Sequence, residues 1–406
     1  MISDDRIILG LLALVLGFVF ATRDRPGWQR FYVFVPIILV CYLVPSLMTT
    51  FGLIDVSESN LWPVAKDYFL PAALFLMTLS IDIKGILGLG SKAIVMFLTA
   101  TVGIVLGGPL ALWIVAQFEP SIIGSGDTAA WRGLATLAGS WIGGGANQTA
   151  MLEVYGYDIE QYGAMVAVDI VVANIWMAFL LYGAGMHERI DRWLGADASA
   201  IARLRDSMAD YSAQVEKVPS ANELIVLAGF TFGAVAFAHW SAGWLSYYFT
   251  SALGAEAVLA SEFFWVVVMA TTIGLAASFT KARELEGIGA SKIGTVFIFL
   301  LVAVIGTKMD IFQLGDAPLF MAVGLIWMTI HSVLLLSVAK IVKAPFFFVA
   351  VGSKANVGGA ASAPVVAGAF HPALAPVGVL LAVLGYALGT YGAILCAEMM
   401  RAVSGG

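Results

Sequence analysis

The polar residues of this chain whose types and spacing could do chemistry are gathered in two glycine-rich stretches. The first, Gly139 to Met151, reads GSWIGGGANQTAM, and the second, Val351 to Pro364, reads VGSKANVGGAASAP. Ser140, Asn147, Gln148 and Thr149 in the first, and Ser353, Asn356 and Ser362 in the second, supply hard neutral oxygens. Glycine lets the backbone leave the helix and approach a ligand closely. Carbonyls freed in this way, and half-helix C-termini, suit a cation, whereas half-helix N-termini suit an anion. Neutral oxygens with carbonyls fit a monovalent ion such as Na+ better than a divalent or transition metal. The cation-binding candidates are Gly143, Gly144, Gly145, Asn147, Thr149, Asn356, Gly358 and Ser362, together with Asp169. The competing reading is close helix packing on small residues, as in Gly-xxx-Gly contacts. Two such stretches at matching positions, each with an asparagine, favour a binding site.

Charge within apolar sequence adds to this. Lys354 lies inside the second stretch, where a lone ammonium is costly in lipid. It could hold a substrate carboxylate or stand in for a cation, or it could simply pair with Asp169 or a helix-end carbonyl. Asp169, in GAMVAVDIVVANIWMAF, is the one acid well inside an apolar run, and an intramembrane carboxylate suggests ion coupling or a proton relay. Asn174 lies five residues on, roughly 140° round a helix. Ser140, Gln148, Ser353, Lys354 and Asn174 are the substrate-binding candidates. Asp82 and Asp310 sit at the ends of apolar runs near Lys84 and Lys308, where helix termination explains them. His239 and His331 have no metal-ligand spacing and read as packed or hydrogen-bonded. With no phosphate loop, zincin pattern or Ser/His/Asp constellation, the sequence offers no enzyme site and no cofactor beyond a coupling Na+ or H+.

The elements that must hold these residues are membrane helices. Of 406 residues 60% are hydrophobic and 12% charged, and the mean hydropathy is +0.93; soluble domains have about twice that charge. A net charge of −6 spread over loops gives no support for nucleic-acid binding. Cys41 and Cys396 fall in apolar segments and read as small buried hydrophobes. A span needs about 20 apolar residues, and windows of that kind fall near 6–22, 31–50, 64–81, 93–117, 164–185, 222–250, 262–280, 290–307, 317–342 and 374–397. Two more, near 134–156 and 345–370, are apolar at their ends and polar in the middle. The expected class is an all-α polytopic membrane protein of about 10 spans plus two re-entrant or broken Gly-rich helices. Its parts are a first membrane repeat over 1–185, a cytoplasmic linker with a surface helix over 186–221, and a second repeat over 222–406.

The halves match. LFLMTLSIDIKGI aligns with VAVIGTKMDIFQL, placing Asp82 opposite Asp310, and Gly139-Ser140 aligns with Gly352-Ser353. If the glycine segments are hairpins, each half has five spans and the repeats are inverted. That arrangement divides the basic residues 15 inside to 5 outside and keeps Arg23, Arg25 and Arg30 inside, in keeping with the positive-inside rule.

The two glycine stretches, the span bearing Asp169 and Asn174, and GVLLAVLGYALGTYGA together resemble the YjcL-like family of uncharacterised integral membrane proteins. That family is similar, distantly, to glutamate–sodium and bile acid–sodium symporters. The resemblance implies inverted repeats, a core moving against a scaffold in an elevator mechanism, and ion and substrate held at Gly143 to Thr149 and Gly352 to Ser362. The expectation is a cation-coupled symporter, with sodium favoured over protons, for a small organic anion, amino acid or short peptide. It would be a homodimer in the bacterial cytoplasmic (inner) membrane, with lipid and the anionic metabolite as its partners. A proton-coupled antiporter or exporter using Asp169, and a non-transporting membrane sensor or binding subunit, are the alternatives.

Overall fold

Apolar runs in lipid can satisfy their backbone only within helices or closed barrels. In the computed structural model every regular element among the described residues is helical, apart from one isolated bridge between Ile2 and Ile54. The structure describes residues 1–405 except 24, 36, 197–200, 202–218, 255–257, 310–316 and 372–373, so Asp310 and most of the central linker lie outside the described residues. The chain runs through α1 (Asp5–Thr22), α2 (Pro26–Phe34), α3 (Ile37–Thr50), α4 (Leu61–Val64), α5 (Leu70–Leu79), α6 (Ile83–Gly88), α7 (Ser91–Phe118), α8 (Ala130–Tyr155), α9 (Tyr162–Gly185) and α10 (His187–Leu194). It continues through α11 (Ala221–Leu253), α12 (Glu262–Ser278), α13 (Ala290–Gly306), α14 (Ala317–Val342), α15 (Phe346–Asn356), α16 (Gly359–Phe370) and α17 (Ala375–Val403).

Six of these, α1, α7, α9, α11, α14 and α17, are long and apolar enough to cross a bilayer unaided. The remaining windows are realised as shorter or interrupted helices. The window at 31–50 is divided between α2 and α3, and the window at 64–81 between a π-helical turn, Ala65–Phe69, and α5. Pro71 cannot donate to the carbonyl of Asp67 as an ordinary α-helical residue would, and the His239 ring Nε2 bonds that carbonyl instead at 2.8 Å. After α12 the chain bends by 97° into the short helical segment Lys281–Ile288. α5, α12 and α13 pack closely, since a Cβ on Gly274 would meet the Phe75 carbonyl oxygen at 2.6 Å and one on Gly294 would meet Leu76 at 3.2 Å.

Both glycine stretches fold back on themselves. In α8 only Gly144, at φ 73° and ψ −171°, leaves the helical region, and this one residue reverses the chain. Gly139 then lies against the backbone of Asn147, with a Cβ placed 2.5 Å from its oxygen. At the open end the Arg132 guanidinium bonds the Tyr155 carbonyl, and Trp131 meets Tyr155 edge-on at 5.3 Å. The second reversal joins α15 to α16 through Val357 and Gly358, the latter at φ 116°. Its open end is closed by Phe347 and Phe370, whose rings are 5.2 Å apart. The 134–156 and 345–370 segments are therefore hairpins.

Two long helices tie the hairpins together. Along α17, Gly378 abuts Ala363 of the second hairpin, Gly385 abuts the carbonyls of both Ile142 and Ala355, and Gly389 abuts Gly143. Farther on, Arg401 reaches the Trp131 ring at the base of the first hairpin. The hairpins thus approach α17 from opposite ends and their tips meet near its middle. α9 makes the parallel journey, from Asp169 beside Ser140 and Trp141 to Gly183 against Phe346. Small residues at 378, 385, 389 and 392 recur on one face of α17, and they let backbone touch backbone.

This contact is testable. A Cβ at Gly389 would lie 2.5 Å from the Gly143 Cα and 2.6 Å from the Asn147 amide nitrogen, whereas one at Gly368 meets nothing within 4 Å. Gly389→Ala is expected to cost about 1–3 kcal/mol by overpacking. Gly368→Ala should be neutral or stabilising by up to about 1 kcal/mol, because alanine favours the helix. Melting temperatures of the two variants in detergent check this.

Candidate functional site

The hairpin tips share one neighbour. A Cβ on Gly144 would fall 3.5 Å from Tyr386 Cε1, and one on Gly359 would fall 3.9 Å from the same atom. Tyr386 is almost wholly buried between the tips, while Gly144 and Gly145 are partly exposed and Gly358 is exposed. Each tip ends two half-helices inside the bundle, so the unpaired groups there need partners.

Asn147 and Asn356 meet that need in the same way. The Asn147 amide donates to the carbonyls of Gly143 (3.1 Å) and Tyr386 (3.0 Å), and its Oδ1 accepts from Thr390 at 2.6 Å. Thr390 also meets Thr271 of α12 at 3.0 Å. The Asn356 amide donates to Gly352 (2.9 Å) and Phe97 (3.2 Å), and its Oδ1 accepts from Thr101 at 2.8 Å. In each clasp the neighbouring helix offers a carbonyl and the threonine four residues after it. Both amide N–H groups of both asparagines are engaged, and each Oδ1 retains one lone pair. Thr149 turns back to the Gly145 carbonyl at 3.1 Å.

A second polar layer lies against α9, one turn below each tip. Asp169 accepts from Ser140 Oγ and from Trp141 Nε1, both at 2.7 Å. The opposite hairpin directs Lys354 into the same region, where its ammonium donates to the Ala173 carbonyl at 3.1 Å, one helical turn from Asp169. Lys354 is 2% exposed. Ser353 receives the Trp176 Nε1 at 2.7 Å and meets His331 Nε2 at 2.8 Å. Since His331 Nδ1 faces the Ala100 carbonyl, which can only accept, that nitrogen carries the ring proton and Ser353 donates to Nε2. At the second tip Ser362 Oγ is a buried polar atom without a hydrogen-bond partner among the described residues, and at the first the Gln148 side chain faces Asp169.

The structure therefore brings Ser140, Asp169, Gln148, Ser353, Lys354, Gly358 and Ser362 to the tips and the α9 face beside them. It does not bring Asn174, which is exposed with its amide turned back to the Ile170 carbonyl at 2.7 Å. Sequence reasoning missed Tyr386, Thr390, Thr101, Trp141 and Trp176, and read His331 as packed or hydrogen-bonded without its partners. The one available signal was the small-residue face of α17, which carries Tyr386 and Thr390 beside its glycines. A separate crevice of about 1390 Å³ opens between the 280–292 segment and the start of α17. It is walled by Lys84, Lys281, Lys292 and the Arg283–Asp82 ion pair (2.5 Å), and it reaches Val383, one turn from Tyr386.

The chain belongs to a family described as Protein of unknown function (DUF819), whose model matches residues 10–403. It is 25% identical over 411 residues to the Uncharacterized membrane protein YjcL of Bacillus subtilis (strain 168), covering 96% of this chain and 95% of that protein. The family resemblance read from the two glycine stretches holds, and the chain is a multi-pass membrane protein.

Removing either threonine of the clasps leaves an asparagine oxygen buried without its donor. Thr390→Val and Thr101→Val are each expected to lower stability by about 1–3 kcal/mol. Unfolding of the purified variants in detergent, side by side with the wild type, measures it.

Proposed function

We propose that this protein is a cation-coupled secondary active transporter that works by alternating access. The observation that carries this reading is the meeting of two oppositely directed hairpin tips at Tyr386, beside a half-buried carboxylate and a buried ammonium. Non-helical backbone within a membrane bundle is tolerated where it is buried in protein or lines a cavity. Half-helix ends at the bilayer midplane are where transporters hold ions and substrates.

In this reading the two halves, 1–185 and 222–406, are inverted repeats, and their hairpins enter from opposite faces of the membrane. Helices α7–α9 and α14–α17 form the moving core. Helices α1, α3, α5 and α11–α13 form the scaffold through which a homodimer assembles. The crevice carries Lys84, Lys281, Arg283 and Lys292, which under the positive-inside rule supports a cytoplasmic side for it and for the 186–221 linker. The conformation described is then open toward the cytoplasm of a bacterial inner membrane. Sodium is assigned to the first hairpin, using carbonyls of Gly143 to Gly145, the free lone pair of Asn147 Oδ1, Thr149 and the nearby Asp169. The substrate, a small organic anion, amino acid or short peptide, is assigned to the space among Ser140, Gln148, Ser353 and Lys354. Bound sodium would offset the charge of Asp169 and order the tip, so that the loaded or the empty core moves readily and the half-loaded core does not.

Asp169 also supports a proton as the coupling ion, and one experiment separates the two. Thermal stability of the purified protein is compared in sodium chloride and choline chloride at equal ionic strength. A ligand of the folded state stabilises it by about 2.7 kcal/mol at one hundred times its Kd. Sodium should raise the melting temperature, and Asp169→Asn should weaken apparent sodium affinity at least about tenfold, equivalent to about 1.4 kcal/mol. A sodium-independent melting temperature that changes with pH only when Asp169 is present would replace sodium with a proton.

A further inference from the structure

Three long helices end beside one another at the base of the second hairpin. α9 finishes at Gly185, α14 finishes at Val342, and α7 begins at Ser91. Side chains tie these ends into one surface. The Lys92 ammonium donates to the Lys343 carbonyl at 2.8 Å, and the Lys340 ammonium donates to the Trp193 carbonyl of α10. Lys340 also lies over the Trp193 ring, 5.1 Å from its centroid.

α10 is amphipathic, and its two faces meet different surroundings. The inner face carries Asp191 and Leu194, both buried. Asp191 accepts the Phe346 N–H at 2.7 Å and so caps the start of α15, while the His187 ring meets Phe370 at 5.6 Å. The helix is thereby fastened to both arms of the hairpin base. Its outer face carries Glu188, Arg189, Arg192 and Trp193, all exposed. Lys340 and Lys343 are exposed as well, and together these residues make a basic surface around one indole. Asp191 does not offset it, being buried against the Phe346 N–H, which leaves Glu188 as the acid on the outer face of α10.

Helix ends account for part of this charge, since cations suit the last turns of α10 and α14. They do not account for Lys343. That residue follows α14 at φ 52°, the one non-glycine at positive φ among the described residues. Glycine is the usual occupant of such a position, because it has no Cβ to strain the backbone. A lysine there adds charge at a place where glycine would be easier to fold. Next to the basic surface, Phe179 and Tyr182 of α9 and Ile341 of α14 are exposed apolar side chains. Apolar side chains bordered by Trp, Lys and Arg are the layout expected where acyl chains give way to headgroups.

We propose that α10 and the adjoining ends of α14 and α7 form a docking surface for the headgroups of anionic phospholipids. Clusters of about four to eight Lys or Arg, beside a span or on an amphipathic helix, attract anionic lipid. Phosphate oxygens of the headgroups accept from Arg189, Arg192, Lys340 and Lys343, and Trp193 lies at the headgroup level. Because the other face of α10 caps α15, the lipid contact sits directly against the base of the second hairpin. Lipid binding here is independent of which solute or ion the protein carries.

The purified protein in phosphatidylcholine nanodiscs provides the test. A fraction of the lipid is replaced by brominated phosphatidylglycerol, or by the same fraction of brominated phosphatidylcholine. Bromine quenches nearby indoles, and subtracting the Trp193→Phe variant isolates Trp193 from the other tryptophans among the 11 in the chain. Each basic residue near an anionic surface contributes a factor of about five in binding, so phosphatidylglycerol is expected to be preferred at Trp193 by at least about fivefold. The preference should disappear in Arg189→Gln/Arg192→Gln and weaken in about 0.5 M sodium chloride, which screens charges over a few ångströms. Lys343→Gly should also weaken it while melting no lower than the wild type, since glycine relieves the backbone at φ 52°. Equal quenching by the two lipids in the wild type, or a preference that both variants leave intact, overturns the docking surface. A preference that salt leaves unchanged overturns its electrostatic basis. A preference abolished by millimolar glycerol phosphate gives the same bases to a soluble phosphate and overturns the lipid assignment.

Discussion

A helix that ends inside an apolar bundle leaves carbonyl and N–H groups that neither lipid nor a neighbouring side chain of ordinary kind can satisfy. Four such ends occur here, two at each hairpin tip, and the rest of the core is arranged around meeting their needs. The asparagine clasps supply bonds to the carbonyls of Gly143, next to the first break, and of Gly352, in the helix that leads to the second. The glycine face of α17 lets the tips come to backbone contact. Buried polar groups with complete sets of partners add specificity and rigidity, and an incomplete set is costly. The clasps are nearly complete, which fixes where each tip lies.

The two hairpins are alike in shape and different in chemistry. The first sets serine and tryptophan donors on a carboxylate borrowed from α9, whereas the second brings its own ammonium. Matching positions hold Trp141 in one half and Lys354 in the other, and Asp169 has Ala382 opposite it. One hairpin therefore faces an acid and the other carries a base. In contrast to the clasps, Ser362 Oγ is buried without a hydrogen-bond partner among the described residues, and such a group costs stability.

Much of this was legible in the chain. The broken segments stood out because glycines and amides interrupt apolar sequence at Gly143 to Gly145 and Gly358 to Gly359. Asp169 and Lys354 stood out because ionised groups are rare there. Asn174 was misleading, since spacing along a helix shows which face a residue occupies but not what that face meets. Thr101 and Thr390 were invisible for the opposite reason: a threonine in a membrane helix ordinarily bonds its own helix, as Thr78 does to the Leu74 carbonyl. Tyr386 looked like one more apolar ring.

By itself, the sequence determined the class of solvent and the two places where helices break. These depend on composition and local backbone preference, which each residue carries with it. Only the tertiary structure decided that the breaks are reversals, that the hairpins come from opposite ends of α17, and that their tips share Tyr386. It also decided which polar groups are satisfied, as in the asparagine clasps, and which lack a partner, as Ser362 Oγ does. Those outcomes depend on partners far apart in the chain, such as Asn147 and Thr390, and pairing at that distance is fixed by packing rather than by local pattern.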